Sequence, residues 1–177
     1  MIPQANGLTI QRASESASSL TTINNVVEDQ PVRRLTDSRR QRQEGPHGHS
    51  INIDRGNRFA VAADLGLDKL LVYRIDAGKA SLTANIPNGI SVAAGSGPRH
   101  FSFHPNGRHA YVINELLLTV TVFDWDSEGG ALTETQTLST LPAGTAPIGS
   151  TAEIQTHPSG RFVYGSNRGH DSIVVYS

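Results

Sequence analysis

Two arginines, two glutamates and a histidine stand where three similar segments of this chain disagree. The segments are HSINIDRGNRFAVAADLGLDKLLVY (49–73), RHFSFHPNGRHAYVINELLLTVTVF (99–123) and AEIQTHPSGRFVYGSNRGHDSIVVY (152–176). One aligned position holds His49, Arg99 and Ala152, and the next holds Ser50, His100 and Glu153. Further along, Asp64, Asn114 and Asn167 align, followed by Leu65, Glu115 and Arg168. Arginine can grip a carboxylate or phosphate with two parallel hydrogen bonds. It can also stabilise an oxyanion that develops during a reaction. Glutamate or histidine can move a proton. A site built from His49, Arg99, Glu115, Glu153 and Arg168 would suit a small anionic substrate.

These residues need elements that bring them together. Arg58, Arg108 and Arg161 correspond, as do Tyr73, Phe123 and Tyr176, at the same two offsets of 50 and 53 residues. Internal repeats of this period outrank local signals in deciding a fold. Each repeat opens on a short alternating run such as Phe101 and Phe103. A turn follows, Pro105-Asn106-Gly107 or Pro158-Ser159-Gly160, and then two β-rich runs divided by a polar turn. A fourth, weaker run is visible at Leu132–Leu138. Period-two patterning in Val, Thr, Tyr and Phe between Gly and Pro turns predicts antiparallel strands. Four strands in about 50 residues make one β-propeller blade. The expected fold is all-β, with about three four-stranded blades, the third broken off at Ser177 after its third strand.

In such a blade the start of the first strand and the end of the second lie on one face, and the first strand lines the central channel. His49, Arg99, Glu115, Glu153 and Arg168 are therefore expected around the channel mouth. A charged residue at a strand end is ordinarily solvated or paired locally, so the grouping carries the argument and no single residue does. His104 and His157 precede turn prolines on the other face, and His109 and His170 read as surface residues. His47-Gly48-His49 has too few placed partners for a metal site, and no metal or cofactor is assigned. There is no G-x-S-x-G, P-loop or G-x-G-x-x-G.

Composition narrows the classes. The chain has 177 residues, no cysteine, and 15 Lys and Arg against 16 Asp and Glu. That excludes a disulfide framework and a thiol nucleophile. The near-neutral balance argues against a nucleic-acid partner. No apolar run reaches the length of a membrane span, and no secretory signal stands at the N-terminus, which predicts a cytoplasmic protein. Residues 1–44 have serines, clustered arginines and no sustained periodicity, and are expected to form a poorly ordered tail ahead of a partial propeller at 45–177.

EGPHGHS (44–50), GPRHFSFHPNGRHAYVINE (97–115) and AEIQTHPSGRFVYGSNRGHDSI (152–173) together resemble the bacterial lactonase family of seven-bladed propellers. The resemblance covers about residues 41–177, and members of the family are roughly twice as long as this chain. It implies hydrolysis of a sugar lactone, most simply 6-phosphogluconolactone to 6-phosphogluconate in the pentose phosphate pathway, by water attack without a metal. It carries the active-site set onto His49, Arg99, Glu115 and Arg168. Glu115, with His49, would deprotonate water, while the arginines hold substrate and oxyanion. His47, His100, Asn114, Glu153 and Asn167 are assigned to substrate binding. The alternatives are an inactive or interaction-only propeller fragment, and a muconate-type lactonizing cyclase on the same scaffold. Oligomeric state is not readable from the sequence.

Overall fold

The computed structural model describes residues 42–177, and within them every regular element is a strand. The first sheet runs β1 (Gly48–Ile53), β2 (Phe59–Asp64), β3 (Lys69–Asp76) and β4 (Ser81–Ser91). The second runs β5 (Pro98–Phe103), β6 (His109–Asn114), β7 (Thr119–Asp126) and β8 (Ala131–Ser139). The third has β9 (Ser150–Thr156), β10 (Val163–Arg168) and β11 (Ser172–Tyr176). Within each sheet, neighbours in sequence pair antiparallel and in order. β1 packs on β5 and β5 on β9, so the first strands of the three sheets are the inner ones. This is the expected partial propeller: two four-strand blades and one of three strands. Strand β4 is absent from the sequence reading, because Pro87, Asn88 and Gly89 interrupt its alternation.

Side-chain alternation explains the stacking. On β2, Phe59, Val61 and Ala63 point into a core shared with Phe101, Ala110, Val112, Phe123 and Trp125 of the second sheet. Ala62 faces the other way, with Leu71 and Tyr73. On β6, Ala110 and Val112 face the first sheet, whereas Ile113 packs with Ile154 and Val163 of the third. One strand thus glues two interfaces, as period two requires. Burying a side chain such as Phe59 or Phe123 contributes about 1.5–3 kcal/mol.

The tight turns share one device. Asp54 Oδ1 accepts from the Arg58 and Phe59 amides and its Oδ2 from the Gly56 amide. His104 Nδ1 accepts from the Asn106 amide and His157 Nδ1 from the Ser159 amide. His104 and His157 are turn residues, as expected, and His109 pairs on the surface with Asp124 at 3.0 Å. The packed body starts before Gly45. The buried Gln43 donates through Nε2 to Leu65 O and Asp68 Oδ1, both at 2.8 Å. Residues 42–44 therefore belong to the folded body and not to a tail. The remainder of the segment read as a tail lies outside the described residues. Among the described residues, no helix is long and apolar enough to cross a membrane.

Candidate functional site

A β-bulge aims the first residue of the site in each blade. The β1–β2 register slips between Gly48 and Ser50, and the β5–β6 register between Pro98 and His100. The extra residues are His49 and Arg99. A bulge leaves one residue unpaired and turns its side chain out of the ladder. In the third sheet the slip lies between Gly165 and Asn167, opposite Ala152 and Glu153. The freed carbonyl of Ala152 accepts from Arg99 Nη1 at 2.9 Å.

Glu115 is the hub. It follows β6, and its side chain is only 7% exposed. Oε2 accepts from Arg99 Nε at 2.8 Å and pairs with Arg168 Nη2 at 3.1 Å. Oε1 accepts from Arg42 Nη2 at 2.7 Å. Burial by itself pushes the carboxyl up. The fields of Arg42 and Arg168 and the hydrogen bonds from Arg99 and Arg42 outweigh it, and the group sits below the usual glutamate range. The backbone holds the cluster across the blade boundary. The Thr151 amide donates to Glu115 O, Thr151 Oγ1 to Asn114 O, and Arg168 Nη2 to Thr151 O.

His49 lies beside this cluster. Its ring meets the His100 ring edge-on at 5.3 Å. Burial, then the charge of Arg99, push the imidazole below the usual histidine range, which keeps it neutral at pH 7. Its Nδ1 is buried without a partner, leaving Nε2 as the nitrogen available to a ligand. His100 Nδ1 lies 2.9 Å from Glu153 Oε2, and His100 Nε2 lies 3.3 Å from Arg99 Nη1. Since guanidinium can only donate, His100 Nε2 is the acceptor there and Nδ1–H points at Glu153.

The structure thus brings together His49, Arg99, Glu115 and Arg168, with His100 and Glu153 alongside. His47 pairs with Glu44, at 3.2 Å. Asn114 and Asn167, read from the sequence as substrate-binding residues, turn their amide nitrogens into the folded body. Asn114 is fully buried and donates to Thr119 Oγ1 and Thr121 Oγ1. Asn167 is buried and donates to Thr140 O and Ser172 Oγ. Asn114 braces its own hairpin end, and Asn167 ties its hairpin end to the loop after β8; Asp64 holds the equivalent place in the first sheet by accepting from the His47 and Leu67 amides. Arg42 was missed. It precedes the repeats, so no aligned position exposes it, and the one signal was its place two residues ahead of the EGPHGHS motif.

Comparison with known proteins points one way. Residues 9–177 match the family described as Lactonase, 7-bladed beta-propeller. The chain is 38% identical over 136 residues to a 6-phosphogluconolactonase of Bacillus subtilis, covering 77% of this chain and 38% of that protein. It is 40% identical over 137 residues to a 6-phosphogluconolactonase of Pectobacterium carotovorum, covering 77% of this chain and 41% of that one. Among solved structures, the periplasmic gluconolactonase PpgL of Pseudomonas aeruginosa superposes with a TM-score of 0.72 at 33% identity, covering 82% of this chain and 42% of that chain. The chain spans about two-fifths of the length of the curated relatives it matches.

Proposed function

Because this chain belongs to the lactonase family of seven-bladed β-propellers, we propose that its site serves hydrolysis of a sugar lactone, 6-phosphogluconolactone to 6-phosphogluconate. The observation that carries the reading is a buried Glu115 ion-paired with three arginines beside a neutral His49. Three guanidinium groups around one buried carboxylate leave positive charge to attract an anionic substrate, part of it offset by Glu153 beside His100. The relatives named as 6-phosphogluconolactonases support the phosphosugar.

The proton goes to His49 alone, and not to Glu115 with His49 as the resemblance implies. Both Glu115 oxygens already accept from arginine, and a carboxylate held below its usual range is a weak base. Water attacks the lactone carbonyl carbon and gives its proton to His49 Nε2. The carbonyl oxygen becomes the oxyanion, and Arg99, the cation whose charge acts most strongly on His49, stabilises it. The tetrahedral species collapses, the ring C–O bond breaks, and His49 returns the proton to the ring oxygen. Arg168, half exposed, binds the substrate's anionic group. Every proton is carried by a side chain, and no metal is invoked. On this reading the chain acts on a small anionic lactone in the cytoplasm, in the pentose phosphate pathway.

The test is hydrolysis of 6-phosphogluconolactone by the full chain, corrected for the spontaneous rate. The expected result is acceleration that His49→Gln lowers by about 10²–10⁴-fold. A rate equal to the spontaneous one, or an unaffected variant, rejects the proposal.

A further inference from the structure

We infer that Arg42 is a further substrate-binding residue of this site, one that selects for the phosphorylated lactone. The inference rests on the lactonase reading and adds to it a residue from outside the blades. Arg42 reaches Glu115 from a segment 73 residues away, at 2.7 Å. The donors of the three arginines are not equally engaged. Arg99 is only 17% exposed, and it spends Nε on Glu115 and Nη1 on Ala152 O and His100. Arg42 and Arg168 are 52% and 50% exposed. They approach opposite oxygens of the same carboxylate, Arg42 at Oε1 and Arg168 at Oε2. Two half-exposed guanidinium groups flanking one buried anion form a clamp with unspent donors. A phosphate dianion, with its several acceptor oxygens, can take hydrogen bonds from both sides.

The position of Arg42 is built. Gln43 beside it is 3% exposed and bonded to Leu65 O and Asp68 Oδ1. Asp68 also accepts from the Gly95 and Gly97 amides, in the loop that leads into Arg99. Two residues on, Gly45 O lies where a Cβ on Gly66 would stand, 1.7 Å away, so the strap can rest there only because residue 66 is glycine. One carboxylate, Asp68, thereby ties the strap that carries Arg42 to the loop that carries Arg99.

The experiment compares binding of 6-phosphogluconate and gluconate, the stable products, to the full chain and to its Arg42→Gln and Arg42→Lys forms by titration calorimetry. Lactone hydrolysis is measured on the same samples, and thermal melting checks that the variants are folded. Arg42→Gln is expected to weaken 6-phosphogluconate by about 10- to 100-fold, the effect of losing a charge-assisted pair. Gluconate should change far less, and Arg42→Lys should recover part of the loss. Unchanged affinity for 6-phosphogluconate in Arg42→Gln overturns the inference. So does an equal loss for both acids, which would make Arg42 only a support for Glu115. In either case a chain that still hydrolyses the lactone leaves the lactonase reading standing. A wild-type chain that neither binds nor hydrolyses overturns both.

Discussion

Arg99 Nε and Glu115 Oε2 lie 2.8 Å apart and join the two ends of one hairpin, the bulged residue of β5 and the residue just past β6. The hairpin fixes the geometry. The Glu115 amide donates to Gly97 O, so the residues before Arg99 and the backbone of Glu115 are already paired before the side chains meet. Arg99 then reaches into the next blade through Ala152 O. The cluster is thus buried at Arg99 and open at Arg42 and Arg168, the division that the proposed roles of oxyanion donor and substrate clamp require.

Glu115→Gln tests the hub. The change removes the one carboxylate shared by three guanidinium groups. Breaking a buried ion pair from one side costs about 3–5 kcal/mol, and here less, because two of the three arginines are half exposed and can return to water. A loss of about 2 kcal/mol in urea unfolding is expected, with lactone hydrolysis falling more than 10-fold. Full activity in a folded variant would show that the arginines hold their places without it.

Asn114→Ala separates bracing from binding. The side chain is fully buried and donates to two threonine hydroxyls, one of which also bonds Thr137. Removing it should cost about 1–3 kcal/mol of stability. Affinity for 6-phosphogluconate in the folded variant should stay within about twofold, because the amide nitrogen is spent on the two threonines. A large drop in affinity without loss of stability would restore Asn114 to substrate binding.

Gly149→Ala should disturb Arg168 through the backbone. Gly149 has a φ of +74°, and a Cβ there would stand 1.8 Å from the Arg168 carbonyl oxygen. The left-handed conformation alone costs about 1–2 kcal/mol for alanine. The clash adds to it, because the atom met is backbone and cannot rotate away. Gly144 is the control: its φ is +80° and nothing lies within 4 Å of the added methyl. Gly149→Ala is expected to lose at least twice the stability that Gly144→Ala loses, and to weaken 6-phosphogluconate as well, by calorimetry on both variants.

The sequence carried most of this arrangement because the blades repeat. Alternation at Phe59, Val61 and Ala63, and at Ala110 and Val112, marks strands whose faces stack, and the residues that escape the repeat, Arg99, Glu115 and Arg168, do converge. Three things were not legible. Asn114 and Glu115 are adjacent in sequence, so both look like site residues, yet neighbouring positions at a strand end face opposite ways and only Glu115 joins the arginines. Strand β4 has too much Pro, Asn and Gly to read as a strand, and its pairing with β3 defines it. Arg42 lies outside the repeat, and only a contact 73 residues distant gives it a role.

The pH dependence of rate and stability should trace His49. Burial and the charge of Arg99 hold its imidazole below the ordinary value of 6.5, so the neutral, proton-accepting form is present throughout the neutral range. Hydrolysis should be flat near pH 7 and fall only below the usual histidine range, as the base is protonated. Stability follows the same sign. Between the depressed folded value and 6.5 the unfolded chain binds more protons than the folded one, so stability is lost as pH falls. Glu115, also depressed, adds a second loss below its ordinary value of 4.5, as pH falls through its folded value. His49→Gln should remove the first step in urea-unfolding free energy against pH and leave the second. Glu115→Gln should do the reverse. An activity limb at or above 6.5 that survives in a His49→Gln chain would assign the proton to another group.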